Sequence, residues 1–171
     1  MEEAKLENKT EESIIEEELS EERQFVTFYV GEELFGISVF QVKSIIGMTE
    51  ITYVPNSLLF MKGVINLRGS VVPVIDMRIR FDLEEKDYNT FTVIIIIEVQ
   101  NRNVGMIVDS VSDVVNIPES AVQKTPHYSS RIENDFIEAI GQVEDDLVII
   151  LDSSKLLTKK DFEELAISEE N

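Results

Sequence analysis

The chain has 171 residues, with 15 Lys and Arg against 34 Asp and Glu for a formal charge of −19, and it has no cysteine. So acidic a chain with no basic patch repels phosphate, so nucleic-acid binding is not expected. The missing thiols remove disulfide scaffolds, cysteine-ligated zinc, iron–sulfur clusters and thiol catalysis, and make a reducing cytosol the expected compartment.

Much of the charge sits at the ends. Residues 1–22 hold ten Glu and two Lys, and residues 161–171 hold five acids and no base, which leaves 23–160 at net −6. The first 22 residues read as an acidic, disordered leader. Ile14, Ile15 and Leu19 are helically spaced there, but an isolated helix this short is marginal.

From Gln24 onward, runs of Val, Ile, Phe and Tyr alternate with turn residues, the pattern of short strands in small barrels. Strands are expected near 24–30, 34–39, 41–46, 63–67 and 70–76, and again near 91–99, 103–108, 111–116, 139–143 and 147–151. Gly31-Glu32-Glu33, Arg68-Gly69, Asn101-Arg102 and Glu144-Asp145-Asp146 are the expected hairpin turns. The run Val93 to Ile97 is too short to span a bilayer, so no direct membrane insertion is expected. Having no polar alternate, it reads instead as buried on both faces.

The two sets of strands look like copies. Val30, Gly36, Val42 and Ile45 map onto Val99, Gly105, Val111 and Val114 at an offset of 69. Phe60, Val64, Leu67, Val72, Val74, Ile75 and Asp76 map onto Phe136, Ile140, Val143, Val148, Ile150, Leu151 and Asp152 at an offset of 76, which places an insertion in the second connector. Halves of this size have marginal cores alone and should pack together. The expected fold is all-β: two packed five-stranded SH3-like barrels related by internal duplication, over 23–83 and 84–152, with a Val- and Ile-lined groove between them. A C-terminal helix over 153–167 follows, with Thr158 and Asp161 suited to cap its start and Leu157, Phe162 and Leu165 packing back.

Catalytic constellations are missing from the sequence. Its one histidine, His127, stands between Pro126 and Tyr128 in a connector, and no nucleophile elbow, Walker loop or dinucleotide fingerprint occurs. A carboxylate-dependent hydrolase is the alternative of another class, but Asp76 and Asp152 end equivalent strands and read as a repeated cap. Asp109 lies between two strands, where the first copy has Phe40. Glu144-Asp145-Asp146 lacks the spaced ligands of a calcium loop. No catalytic residue, cofactor or metal is expected.

The segment from Lys62 to Arg78, with Gly63-Val64-Ile65-Asn66-Leu67-Arg68-Gly69 returning through Val71-Val72-Pro73-Val74-Ile75-Asp76, is more specific. It resembles the hairpin of the CheW family of chemotaxis adaptors, and the likeness runs from about Gln24 to Leu157. It also takes in Phe35-Gly36-Ile37, Val104 to Asp109, and Leu147 to Asp152 with Lys155-Leu156-Leu157. The resemblance implies two five-stranded barrels and a non-catalytic adaptor, cytoplasmic and recruited to membrane-associated arrays. As partners it implies the regulatory domain of the histidine kinase CheA and the cytoplasmic helical hairpin of chemoreceptors; a scaffold for another two-component pathway is the nearest alternative. Carried over by position, it implies receptor binding by Val42, Arg68, Val111 and Val114, and kinase binding by Val71 and Tyr128. Ser44 stands where many relatives have Glu, and Ala139 where a glycine is frequent.

Overall fold

The computed structural model describes residues 22–124 and 136–170, with side chains to Glu164. Eleven strands form among them: β1 (Arg23–Val30), β2 (Glu33–Ser38), β3 (Val42–Gly47), β4 (Met61–Leu67), β5 (Ser70–Asp76), β6 (Val93–Val99), β7 (Arg102–Val108), β8 (Ser110–Ile117), β9 (Val122–Lys124), β10 (Ile137–Val143) and β11 (Asp146–Leu151). Two helices complete the set, α1 (Met77–Arg80) and α2 (Lys159–Glu170). Two sheets result, one in the order β8-β1-β2-β11-β10-β9 and one in the order β3-β6-β7-β5-β4. The fold is all-β with small helices, in two packed units.

The sheets do not divide where the sequence suggests. A break at 83/84 would keep β1 to β5 together, yet β1 and β2 join β8 to β11, while β6 and β7 join β3 to β5. The six-stranded unit takes the first two strands of the first repeat and the last four of the second, and the five-stranded unit takes the first two of the second repeat and the last three of the first, β9 having no counterpart strand. The pairings repeat in register. Val26 opposes Val114 as Ile95 opposes Ile45, and Gly36 lies beside Ile150 as Gly105 lies beside Val74. The β4–β5 shift at Lys62 has its twin at Glu138. Internal duplication therefore extends to hydrogen-bond register, with the copies exchanged between sheets.

Period-two alternation explains the packing. In β6, Ile94 and Ile96 face a small cluster with Ile65, Val72, Val74 and Ile107, while Ile95 and Ile97 face the opposite way. In β1 and β11, Phe25, Val148 and Ile150 point into a third cluster with Ile117 and Ala139. The remaining apolar faces meet in the largest cluster, between the sheets, which takes in Phe28, Phe35, Ile95, Met106, Phe136 and Leu151. The seam is a packed core in which Phe, Met and Leu join the Val and Ile expected to line a groove there.

Local chemistry sets the ends of elements. Arg68 and Gly69 have φ of 52° and 87°, a two-residue turn of the primed kind, and Asn66 Oδ1 accepts from the Gly69 amide at 2.9 Å. The β6–β7 turn is Gln100-Asn101, both at positive φ, one residue earlier than Asn101-Arg102. Pro73 lies where β5 has β4 as its only neighbour, since β7 pairs only with Val74 to Asp76, so its missing N–H costs no ladder bond. After Asp152 the chain makes a 3-10 turn (Ser153–Lys155) and reaches α2 only at Lys159, later than expected. The amide of Thr158 donates to Asp161 at 2.8 Å, and that of Asp161 to the Thr158 hydroxyl at 3.1 Å, a reciprocal cap.

Candidate interaction surfaces

The most organised polar group lies where β5, α1 and the β7–β8 corner meet. Asp76 is buried and caps α1, accepting from the amides of Arg78 at 2.9 Å and Ile79 at 3.4 Å. Its other oxygen accepts from the Tyr88 hydroxyl at 2.8 Å. Asp152 accepts from the Ser154 amide in the same way, so the paired aspartates are repeated caps, as the sequence suggests.

Arg78 holds Asp109 through two parallel bonds of 2.8 and 2.7 Å, and the Gly31 amide donates to the same carboxylate at 2.9 Å. With 17% and 24% of the two side chains exposed, the pair is mostly withdrawn from water. Burial pushes the Asp109 carboxyl upward, but the bonds from Arg78 and Gly31 outweigh it and leave the group below the usual range. Burial first, and then the Asp76 bond and charge, push the Tyr88 phenol up, so it remains a donor. A cavity of about 610 Å³ opens here, in which Asp76 serves as a cap and Arg78 and Asp109 as an ion pair. No cluster of His, Cys, Asp or Glu able to hold a metal occurs among the described residues.

Val42, in β3 opposite Ile97, and Val111, in β8 opposite Phe28, are equivalent by repeat and half-buried against the inter-sheet core. Val114 lies further along β8, 53% exposed. These three therefore sit on two edge strands of different sheets. Arg68 stands at the tip of the β4–β5 hairpin, exposed, with no hydrogen bond or ion pair to any described residue. Val71, on the returning strand, is 57% exposed. Tyr128, like Pro126 and His127, lies outside the described residues.

Three exposed apolar residues were not among the expected contact residues. Leu147 is the repeat partner of Val71 and is 62% exposed, and Ile45 is the partner of Val114 and also projects. The offsets that match Val72 to Val148 and Ile45 to Val114 would have found both. Phe40, two residues before Val42, is 87% exposed in the 3-10 turn Val39–Gln41, and no spacing signal marks it.

The CheW-like domain model matches residues 24–161, which spans both sheets. The chain belongs to the CheW-like family. Its relatives include the chemotaxis protein CheW of Klebsiella aerogenes, 33% identical over 81% of this chain and 84% of that protein. Another is the chemotaxis protein CheW of Bacillus subtilis, 38% identical over 84% and 92%. The scaffolding protein TtCheW from Thermoanaerobacter tengcongensis superimposes with a TM-score of 0.76 at 32% identity, covering 82% of this chain and 95% of that one. Chemotaxis scaffolding is the role of this CheW-like family, and no helix among the described residues is long and apolar enough to cross a membrane.

Proposed function

We propose that this CheW-like chain couples a CheA-type histidine kinase to the cytoplasmic tips of chemoreceptors. It does so by surface contact alone, making and breaking no bond, in the cytoplasm at membrane-associated receptor arrays. The observation that carries this reading is the set of apolar side chains left projecting from edge strands and hairpins of a well-packed fold, Val114 and Val71 foremost.

A receptor tip is a helical hairpin, and it would lie along Val42, Val111 and Val114 with Arg68 at hand for a carboxylate. Phe40 and Ile45 extend that apolar surface. The kinase regulatory domain would meet the hairpin end at Val71 and the connector at Tyr128. A fully desolvated valine contributes about 1.5–3 kcal/mol before ordering costs, so these side chains add to a contact that further buried surface must complete.

The decisive experiment is co-purification of the chain with a kinase regulatory domain and a receptor-tip fragment. A ternary complex is expected, with Val114→Glu losing the receptor fragment and Val71→Glu losing the kinase domain. Binding of neither fragment by the folded parent chain overturns the proposal.

A further inference from the structure

The connector between the repeats runs from Asp82 to Phe91, exposed at every residue. Its bonds to the body go back to the first repeat: the Leu83 amide donates to Arg78 O at 2.7 Å, Arg78 to Glu84 O at 2.9 Å, and Tyr88 to Asp76 at 2.8 Å. What joins the repeats lies elsewhere. Four ladders, β1·β8, β2·β11, β3·β6 and β5·β7, each take one strand from either side of the connector. The Arg78–Asp109, Arg23–Glu138 and Lys43–Glu98 ion pairs also cross, as does the pair of bonds between the Thr27 hydroxyl and the Asp113 backbone.

We infer that each repeat is a docking partner for the other independently of the connector, and that the repeats of two copies of this chain are interchangeable. A first repeat meets the same ladders, core and ion pairs whether the second repeat comes from its own chain or from a neighbour. Only the exposed connector changes course, the condition for strand exchange between copies. In dilute solution the tether favours the repeat of the same chain, because its effective concentration is in the millimolar range. A second copy at comparable local concentration competes with the tethered repeat, so a second copy of this chain is the partner this surface accepts.

The test inserts a protease site between Lys86 and Asp87, both exposed. After cleavage of the folded full-length protein, the pieces should elute together at the volume of the uncut chain and melt in one transition. Cut protein with a tagged first piece is then mixed with cut protein whose second piece is isotopically heavy, unfolded in denaturant and diluted out. The tag should retain the heavy second piece in its statistical share. Separation of the pieces under native conditions, or folding of either piece alone as a monomer, overturns the inference. Should the inserted site prevent folding, co-expression of 1–86 with 87–171 reads the same outcomes: a one-to-one complex supports it, and pieces that purify apart refute it.

Discussion

Arg68 and Glu144 occupy the same turn position in the two repeats, at φ of 52° and 55°. A glutamate is therefore already accommodated in this backbone geometry, and Arg68 makes no bond with a described residue that a substitution would break. Arg68→Glu should change stability by no more than about 0.5 kcal/mol. It should weaken partner binding at least tenfold, about 1.4 kcal/mol, if the guanidinium meets a carboxylate there. Denaturant titration and a binding titration with the receptor-tip fragment separate the two effects; a large stability loss with unchanged affinity would rule out a surface anchor.

Asp109 behaves in the opposite way, since its partners lie within the fold. Asp109→Asn replaces a charged, twice-bonded acceptor of Arg78 and should cost about 2 kcal/mol, as for hydrogen bonds to charged groups. The pH dependence has a definite sign. Because the folded carboxyl is held below its ordinary value, its stabilisation is present above the unfolded pKa of about 3.9 and is lost as pH falls through the folded value. The parent chain should thus lose more stability than Asp109→Asn between neutral pH and pH 3. Parallel acid limbs for the two proteins in denaturant melts would contradict the assignment. The sequence placed Asp109 at a strand junction but did not pair it, because Arg78 and Asp109 lie in different repeats and meet only through the exchange of strands.

At the scale of elements, the repeated glycines mark where a strand of one repeat passes closely beside the other. A Cβ on Gly36 would stand 2.9 Å from Val148 Cγ1 in the other repeat, and one on Gly105 would stand 3.4 Å from Val74 Cγ2 in the other repeat and 2.9 Å from Ile94 Cγ2 in its own. Both glycines lie at the parallel pairings, β2·β11 and β7·β5, that tie the repeats together. Gly36→Ala should destabilise by about 1–3 kcal/mol through overpacking, with its reporter in thermal or denaturant melts. A neutral result would mean that Val148 yields without cost. The strand inventory was readable because burial imposes a period of two on sequences rich in Val and Ile. Strand β9 was missed because three residues hold too little pattern, and its position is set by pairing with β10. Val42 and Val111 were legible as a repeated pair, whereas the exposed Phe40 was not, because one aromatic residue in a turn has no period to betray its exposure.

For the whole molecule, the largest buried cluster lies between the sheets, and aromatic contacts run across it. Phe35 stacks on Phe81 at 4.8 Å and Phe81 on Phe136 at 5.1 Å, while Arg80 lies over both Phe60 and Phe136, which are repeat partners. The two smaller clusters are each too slight to sustain a barrel alone, as expected of units near the lower size limit of independent folding. One cooperative transition should therefore serve the whole described fold. Ile96→Ala removes atoms from the cluster of one sheet and Ile150→Ala from that of the other, and each should cost about 2–5 kcal/mol. Both should move a single melting curve in which near- and far-ultraviolet dichroism coincide. Because each sheet draws strands from both repeats and the two sheets share the largest cluster, loosening either smaller cluster weakens the common seam. Two resolved transitions in either variant, with one sheet persisting after the other has melted, would show that the barrels are energetically independent despite their exchanged strands.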